Sequence, residues 1–231
     1  ERVVTMDQHY VKNVKKSFGE LNVLKDISIN FIKGHITCIL GPSGCGKSTL
    51  LNIISGIIKD YEGEVVGFDK EQISFVFQED RLIPWLSVYD NMKFILKDKY
   101  PKDKINQKIL SYLSLVGMGD YTTFYPADLS GGMKQRVAIA RALAYGGEII
   151  IMDEPFKSLD IKNKMQLLFD FKKICKQTHS TAIFVTHDID EALEIGDEIY
   201  ILSDKPSQIK SVWKDLKIDN VREKILFEMI K

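Results

Sequence analysis

The residues with the plainest chemical potential are Gly41-Pro42-Ser43-Gly44-Cys45-Gly46-Lys47-Ser48, which fit G-x-x-x-x-G-K-[ST]. Glycines at this spacing let the backbone curl closely around phosphate oxygens, with successive N–H groups pointing inward. A helix that follows adds its positive end to the same anion. Lys47 supplies a cation for β and γ phosphates, and the Ser48 hydroxyl suits a magnesium shell. Cys45 reads as a tolerated small residue of the loop rather than a reactive thiol. A second cluster closes the apolar run Glu148-Ile149-Ile150-Ile151-Met152: the adjacent carboxylates Asp153 and Glu154, followed by Pro155. Two carboxylates at the end of a buried strand are costly unless a cation or a substrate uses them. Asp153 is placed to hold magnesium, and Glu154 to accept the proton of an attacking water. These two clusters alone leave kinases, GTPases and motor ATPases all open.

Such groups need a rigid frame, and the hydrophobic pattern supplies one. Ile27, Ile29 and Phe31 alternate with Ser28, Asn30 and Ile32, the period of a strand with one buried face. The run Ile36 to Leu40 leads into the glycine loop, and Leu50, Leu51, Ile54 and Ile58 follow at helical spacing. Strand, loop, helix is the order a phosphate site requires. Further on, Ile105, Ile109, Leu113 and Val116 form one helical stripe between Pro101 and Gly117. Ser130-Gly131-Gly132 precedes another stripe, Val137, Ala140 and Ala144, with Ser130 a natural cap. Short apolar strands return at Glu148 to Met152, Thr181 to Val185 and Glu198 to Leu202. A helix carrying Ile161, Met165, Leu168, Phe171 and Cys175 separates the first two. Strands spaced by helices predict an α/β fold, a largely parallel sheet with helices on both faces. The helical stretch at about 80–145 reads as an insertion into a single domain spanning 1–231.

Composition narrows the function classes. The chain has 231 residues, 45% hydrophobic and 28% charged, which is globular rather than disordered. Its 32 basic residues balance 32 acidic ones, which argues against a chain-wide nucleic-acid footprint. The longest apolar run, Leu50 to Ile58, is broken by Asn52, Ser55 and Gly56, well short of the ~18 apolar residues of a spanning helix. Cys38, Cys45 and Cys175 form no CxxC pair, so neither a disulfide framework nor a zinc site follows. With no basic-then-apolar leader after Glu1, a reducing cytoplasm is the expectation.

Leu129-Ser130-Gly131-Gly132-Met133-Lys134-Gln135-Arg136 narrows the choice further. Here the chain closely resembles the ATP-binding cassette ATPases, whose signature is LSGGQ before a helix. Other family motifs stand in family order: Gln78 in Phe75-Val76-Phe77-Gln78, Ser158-Leu159-Asp160, and His187 in Val185-Thr186-His187-Asp188. The resemblance runs over roughly residues 18 to 205. It implies a phosphate-loop NTPase core with an N-terminal antiparallel β subdomain and the inserted helical subdomain. It also implies two cassettes facing head to tail, with the signature of one closing on the γ-phosphate held by the other. Gly41 to Gly46 with Lys47, Ser48 and Thr49 would hold ATP and magnesium. Ser130, Gly131 and Gly132 would touch the same γ-phosphate from the partner. Gln78 would reach the metal and the attacking water, His187 would contact the γ-phosphate, and Asp160 would cross the interface. Glu154 becomes the general base, with Asp153 on the metal. Phe18, in Lys16-Ser17-Phe18-Gly19, matches the aromatic that stacks on adenine, with Tyr10 as the alternative.

Within that family, one cassette and no coiled-coil insertion imply a separate subunit docking on permease partners at the cytoplasmic face of a bacterial membrane. Cargo would arrive through an extracytoplasmic binding protein. The run Gln78-Glu79-Asp80-Arg81-Leu82-Ile83-Pro84-Trp85-Leu86-Ser87-Val88, with Met133 and the Ser203 to Pro206 turn, resembles importers of nitrate, sulfonates, taurine and related small anions. On that reading the Leu82 to Trp85 surface receives a helix of the permease. Trp213, Leu216, Val221, Ile225 and Leu226 are expected to return as an edge element and a terminal helix. The competing reading is a cassette ATPase of DNA repair or ribosomes, which the neutral charge and absent insertion disfavour. A small-molecule phosphotransferase and a non-hydrolysing interaction module are more remote.

Overall fold

A computed structural model of the chain describes residues 9–157 and 161–230. The strand–loop–helix unit expected from the glycine motif is present. Strand β3 (Ile36–Leu40) is buried along its whole length, and helix α1 (Lys47–Ile54) starts at the motif lysine. That helix ends earlier than the apolar spacing suggests. Gly56 takes a φ of 68°, so the chain turns away and Ile58 lies beyond the helix.

Two sheets frame the molecule. Strands β1 (His9–Phe18), β2 (Leu21–Phe31) and β4 (Glu62–Val66) form an antiparallel sheet in the order β2-β1-β4. The second sheet adds β5 (Ile73–Val76), β6 (Ile149–Asp153), β7 (Thr181–Thr186), β8 (Glu198–Leu202) and β9 (Ile209–Trp213) to β3. Its order is β5-β6-β7-β3-β8-β9, parallel throughout except for the antiparallel edge strand β9. The ends of β3 and β6, where the two chemical clusters sit, are therefore separated only by β7.

Both faces of this sheet are buried, by different means. On one face Cys38, Leu40, Met152 and Phe184 pack against α2 (Val88–Leu96), α3 (Lys102–Leu115), α4 (Gly131–Tyr145), α5 (Ile161–Thr178) and α6 (Ile189–Ile195). On the other, Ile39, Ile151 and Val185 meet α1 and the antiparallel sheet. The helical cover expected on both faces is thus shared, on the second face, with a sheet. Each fully buried leucine or isoleucine contributes about 1.5–3 kcal/mol of hydrophobic stabilisation.

Helices α2, α3 and α4 lie in sequence between β5 and β6. The Ile105, Ile109, Leu113 stripe is buried, and Gly117, in the left-handed region, ends that segment. Ser130 caps α4, accepting from Met133 N at 3.3 Å, and Gly146 closes the same helix with φ 65°. In α5, Leu168, Phe171 and Cys175 face the core, but Met165 is exposed. The C-terminal α7 (Val221–Ile230) returns against α6, with Ile225 buried and Leu226 outward. No helix among the described residues is long and apolar enough to cross a membrane.

Candidate functional site

The glycine loop is shaped by local geometry that other residues tolerate badly. Gly44 and Gly46 take φ of 78° and 120°, and a Cβ on Gly46 would stand 2.9 Å from side-chain atoms of Leu24 and Val23. A Cβ on Gly41 would press on Cys45 Sγ and on Leu202 at 3.1–3.2 Å. Cys45 itself is buried, with its carbonyl accepting from Ser207 Oγ. Lys47 is also buried, and its Nζ donates to Gly41 O and Pro42 O, both at 2.8 Å. The ammonium is thereby held within the arc of the loop.

A cavity of about 310 Å³ opens over this loop. Ser43, Gly44, Gly46, Lys47, Ser48 and Thr49 line its floor. Gln78, just past β5, and Glu154, just past β6, line it from the other strands, and Phe18 and Lys205 stand at its margin. Phe18 is half exposed, with Lys16 Nζ 4.8 Å from its ring centroid. Tyr10 does not line the cavity; it sits within β1, paired with Asn30 and Val66. Pro42 contributes its carbonyl to Lys47.

The acidic pair splits into two environments. Asp153 is buried, accepts a hydrogen bond from the Ser48 side chain, and leaves Oδ1 without a partner. Burial pushes its carboxyl above the usual range, and the Glu154 charge adds to that, while Ser48 and Lys47 pull it back. An orphaned buried carboxylate oxygen on the residue that holds the Ser48 hydroxyl suits a hard cation that prefers oxygen, and Gln78 lines the same cavity as Ser48. Glu154 has a φ of 45°, and its backbone N donates to Val185 O at 3.0 Å. This turn aims the carboxylate among cations: Lys47 and Lys157 at 3.7 Å, with His187 Nδ1 at 3.2 Å. Lys157, a cationic step just before Ser158 in the sequence, therefore faces the same carboxylate.

The loop and the acidic pair come together with Gln78 and His187. Ser130, Gly131 and Gly132 do not line this cavity; they form the start of α4 with Ser130 and Gly131 exposed to solvent. Asp160 and its neighbours Ser158 and Leu159 lie outside the described residues.

Three further residues escaped the sequence reading because their partners are remote or their side chains unremarkable there. Asn91 is buried, donates to the carbonyls of Ile83, Leu86 and Ser87 and accepts from Ile83 N, which fixes the loop that presents Trp85. Trp85 is 76% exposed. Arg141 of α4 donates to Asp80 O and Arg81 O, tying that loop to the helix. Lys164 of α5 bridges Asp188 and Glu191.

The ABC transporter family model matches residues 24–157, a span that contains the glycine loop, the cap of α4 and the acidic pair. The chain belongs to the ABC transporter family. It is an ATP-binding cassette ATPase with the corresponding phosphate-loop fold. The chain is 43% identical over 210 residues to the aliphatic sulfonates import ATP-binding protein SsuB of Bacillus cereus, covering 87% of this cassette and 82% of that protein. It is 42% identical over 204 residues to the spermidine/putrescine import ATP-binding protein PotA of Bacteroides thetaiotaomicron, spanning 84% of this cassette but 44% of PotA. Among solved structures, the dimeric bacterial cassette MJ0796 superposes with a TM-score of 0.82 at 34% identity, over 89% of this chain and 98% of that one. The same cassette in a post-hydrolysis dimer with ADP and Pi gives 0.77 at 33% identity, over 87% and 98%.

Proposed function

We propose that this cassette is the ATP-hydrolysing subunit of a bacterial importer of small anions such as sulfonates, taurine or nitrate. It works as a homodimer at the cytoplasmic face of the membrane, docked on permease subunits that receive cargo from an extracytoplasmic binding protein. The observation that carries this reading is the division of the site. One chain brings Lys47, Ser48, Gln78 and Glu154 to one cavity and leaves the capped start of α4 facing solvent elsewhere. A second copy, turned head to tail, is the natural source of that missing wall.

In this mechanism the loop N–H groups and Lys47 bind the β and γ phosphates, and Phe18 stacks on the adenine. Ser48, Gln78 and Asp153 would hold magnesium, which supplies charge neutralisation at the phosphate oxygens when bound. Gln78 orients the attacking water and Glu154 takes its proton as the water oxygen bonds to the γ-phosphorus. The bond to the ADP oxygen then breaks, and ADP and phosphate are released. His187 steadies the γ-phosphate beside Glu154. Ser130, Gly131 and Gly132 of the second copy complete the donor set and exclude bulk water, so closure accompanies ATP and opening follows hydrolysis.

The anionic cargo rests on likeness to SsuB and on the run from Gln78 to Val88. PotA, named for polyamine cations, is nearly as similar, which fits a cargo chosen by partner subunits rather than by the cassette. The test is co-purification from membranes followed by reconstitution. A permease pair should copurify, and ATP turnover should rise with a binding protein loaded with an aliphatic sulfonate and not with spermidine. Stimulation by spermidine would overturn the cargo. Stimulation by DNA with steep salt dependence, and no permease, would overturn the importer reading.

A further inference from the structure

The loop carrying His187 is tied to one lysine of a neighbouring helix, directly through Asp188 and Glu191 and by way of Glu191 through Thr186. Lys164 Nζ lies 2.7 Å from Asp188 Oδ2 and 2.9 Å from Glu191 Oε1. Glu191 is buried, and its other oxygen accepts from Thr186 Oγ1 at 2.6 Å. That hydroxyl accepts in turn from Asp188 N at 3.0 Å. Asp188 Oδ1 caps α6, accepting from Asp190 N at 2.9 Å and Glu191 N at 3.3 Å. The network therefore closes on the residue before His187 and on the residue after it.

We infer that Lys164 is a positioning residue for His187, holding the imidazole in register with Glu154 through the Asp188 and Glu191 carboxylates. The inference rests on the role proposed above for His187. Its logic is electrostatic and geometric. Without the ammonium, the carboxylate of the N-cap Asp188 and that of Glu191 in the first turn of α6 are left beside each other in a partly dry pocket, and α6 must shift to separate them. Arg222 of α7 does not replace it, because its guanidinium is engaged with Asp190 at 2.6 and 3.0 Å. Burial by itself lowers the affinity of the Lys164 ammonium for its proton, but the bonds to Asp188 and Glu191 outweigh it and raise it overall. Lys164 thus keeps its charge at neutral pH. Residues 158–160 directly precede α5, so the helix that follows this segment in the chain also carries the anchor of the His187 loop.

Lys164 does not line the nucleotide cavity, so its loss should act on turnover and leave nucleotide affinity alone. Lys164→Met is expected to lower kcat about tenfold with KM for ATP within about twofold, as a small misplacement of an attacking or stabilising group does. Lys164→Arg keeps the charge and should restore most of the rate. The decisive readout is the imidazole NMR signal of His187, one of four histidines, assigned by its loss in His187→Ala. In Lys164→Met this signal should shift and broaden while those of His9, His35 and His179 stay in place. A wild-type kcat in Lys164→Met, or a lowered kcat with an unmoved His187 signal, overturns the inference. If Lys164→Met does not fold, Lys164→Gln, which also removes the charge, takes its place with the same expected and overturning outcomes. Wild-type turnover in His187→Ala would instead refute the role of His187, a separate result from the signal shift that reports the coupling.

Discussion

Nδ1 of His187 stands 3.2 Å from Oε2 of Glu154, across the ends of the adjacent parallel strands β6 and β7. The two residues are 33 apart in the chain, yet each immediately follows its strand, so the parallel pairing sets their separation. The contact lacks hydrogen-bond alignment, so Glu154 Oε2 faces His187 and Lys157 without a hydrogen-bond partner. A buried carboxylate oxygen with unused acceptor capacity, on a residue that lines the phosphate cavity, suits the proton-accepting role proposed for Glu154.

Glu154→Gln removes the proposed proton acceptor while keeping the shape of the side chain. Turnover should fall by about two to four orders of magnitude, the usual worth of a general base. ATP binding should persist, and the variant should accumulate as an ATP-bound dimer in analytical ultracentrifugation. Unimpaired hydrolysis would reassign the base.

Phe18→Ala should raise KM for ATP about tenfold, since stacking on a base is worth about 1–3 kcal/mol. Tyr10→Phe, remote from the cavity, should leave KM within about twofold. Steady-state kinetics on both variants separates the two aromatics.

Asp153 gives a pH-dependent prediction. Its folded-state pKa lies above the ordinary carboxylate value, so the folded chain holds that proton more tightly than the unfolded chain does. Stability of the nucleotide-free protein should therefore fall as pH climbs from the ordinary carboxylate range through the raised value. Asp153→Asn should flatten that decline and raise the melting temperature at neutral pH by about 2–4 °C. The same substitution should abolish the further rise in melting temperature that magnesium and ATP confer on the native chain. Thermal scans with and without EDTA check both halves.

Gly46→Ala and Gly44→Ala separate crowding from backbone strain. Both positions have positive φ, but only at Gly46 would the new Cβ meet neighbours, Leu24 and Val23 at 2.9 Å. Gly44→Ala should cost about 1 kcal/mol of stability, the penalty of a left-handed alanine. Gly46→Ala should cost about 1–3 kcal/mol and weaken nucleotide binding as well. Denaturant melts and nucleotide titrations give the comparison.

What could be read from residue order was what local chemistry dictates. The strand before Gly41, the helix after it, the cap at Ser130 and the α3 stripe ending at Gly117 all follow from patterns within a dozen residues. The loop and acidic pair were legible for the same reason, and the parallel sheet brought them together. The left-handed backbone at Glu154 was not legible, because its identity as glutamate gives no hint of φ 45°. The position of β3 between β7 and β8 was equally hidden, since strand order is a long-range choice. Asn91, Arg141 and Lys164 escaped because their partners belong to other loops or helices. Met165 misled in the opposite sense, sharing the spacing of its helix's core residues while facing outward.

The capped start of α4 and the glycine loop open on different parts of the surface of one chain. If two copies complete each other as proposed, damage to these regions becomes separable by genetics. A chain defective at Lys47 and a chain defective at Ser130 would each be inactive when expressed alone. Mixed in one cell, they would pair to leave one composite site doubly broken and the other wholly intact. Partial recovery of transport from two null alleles would then reveal, without any purified protein, how the labour is divided between the copies.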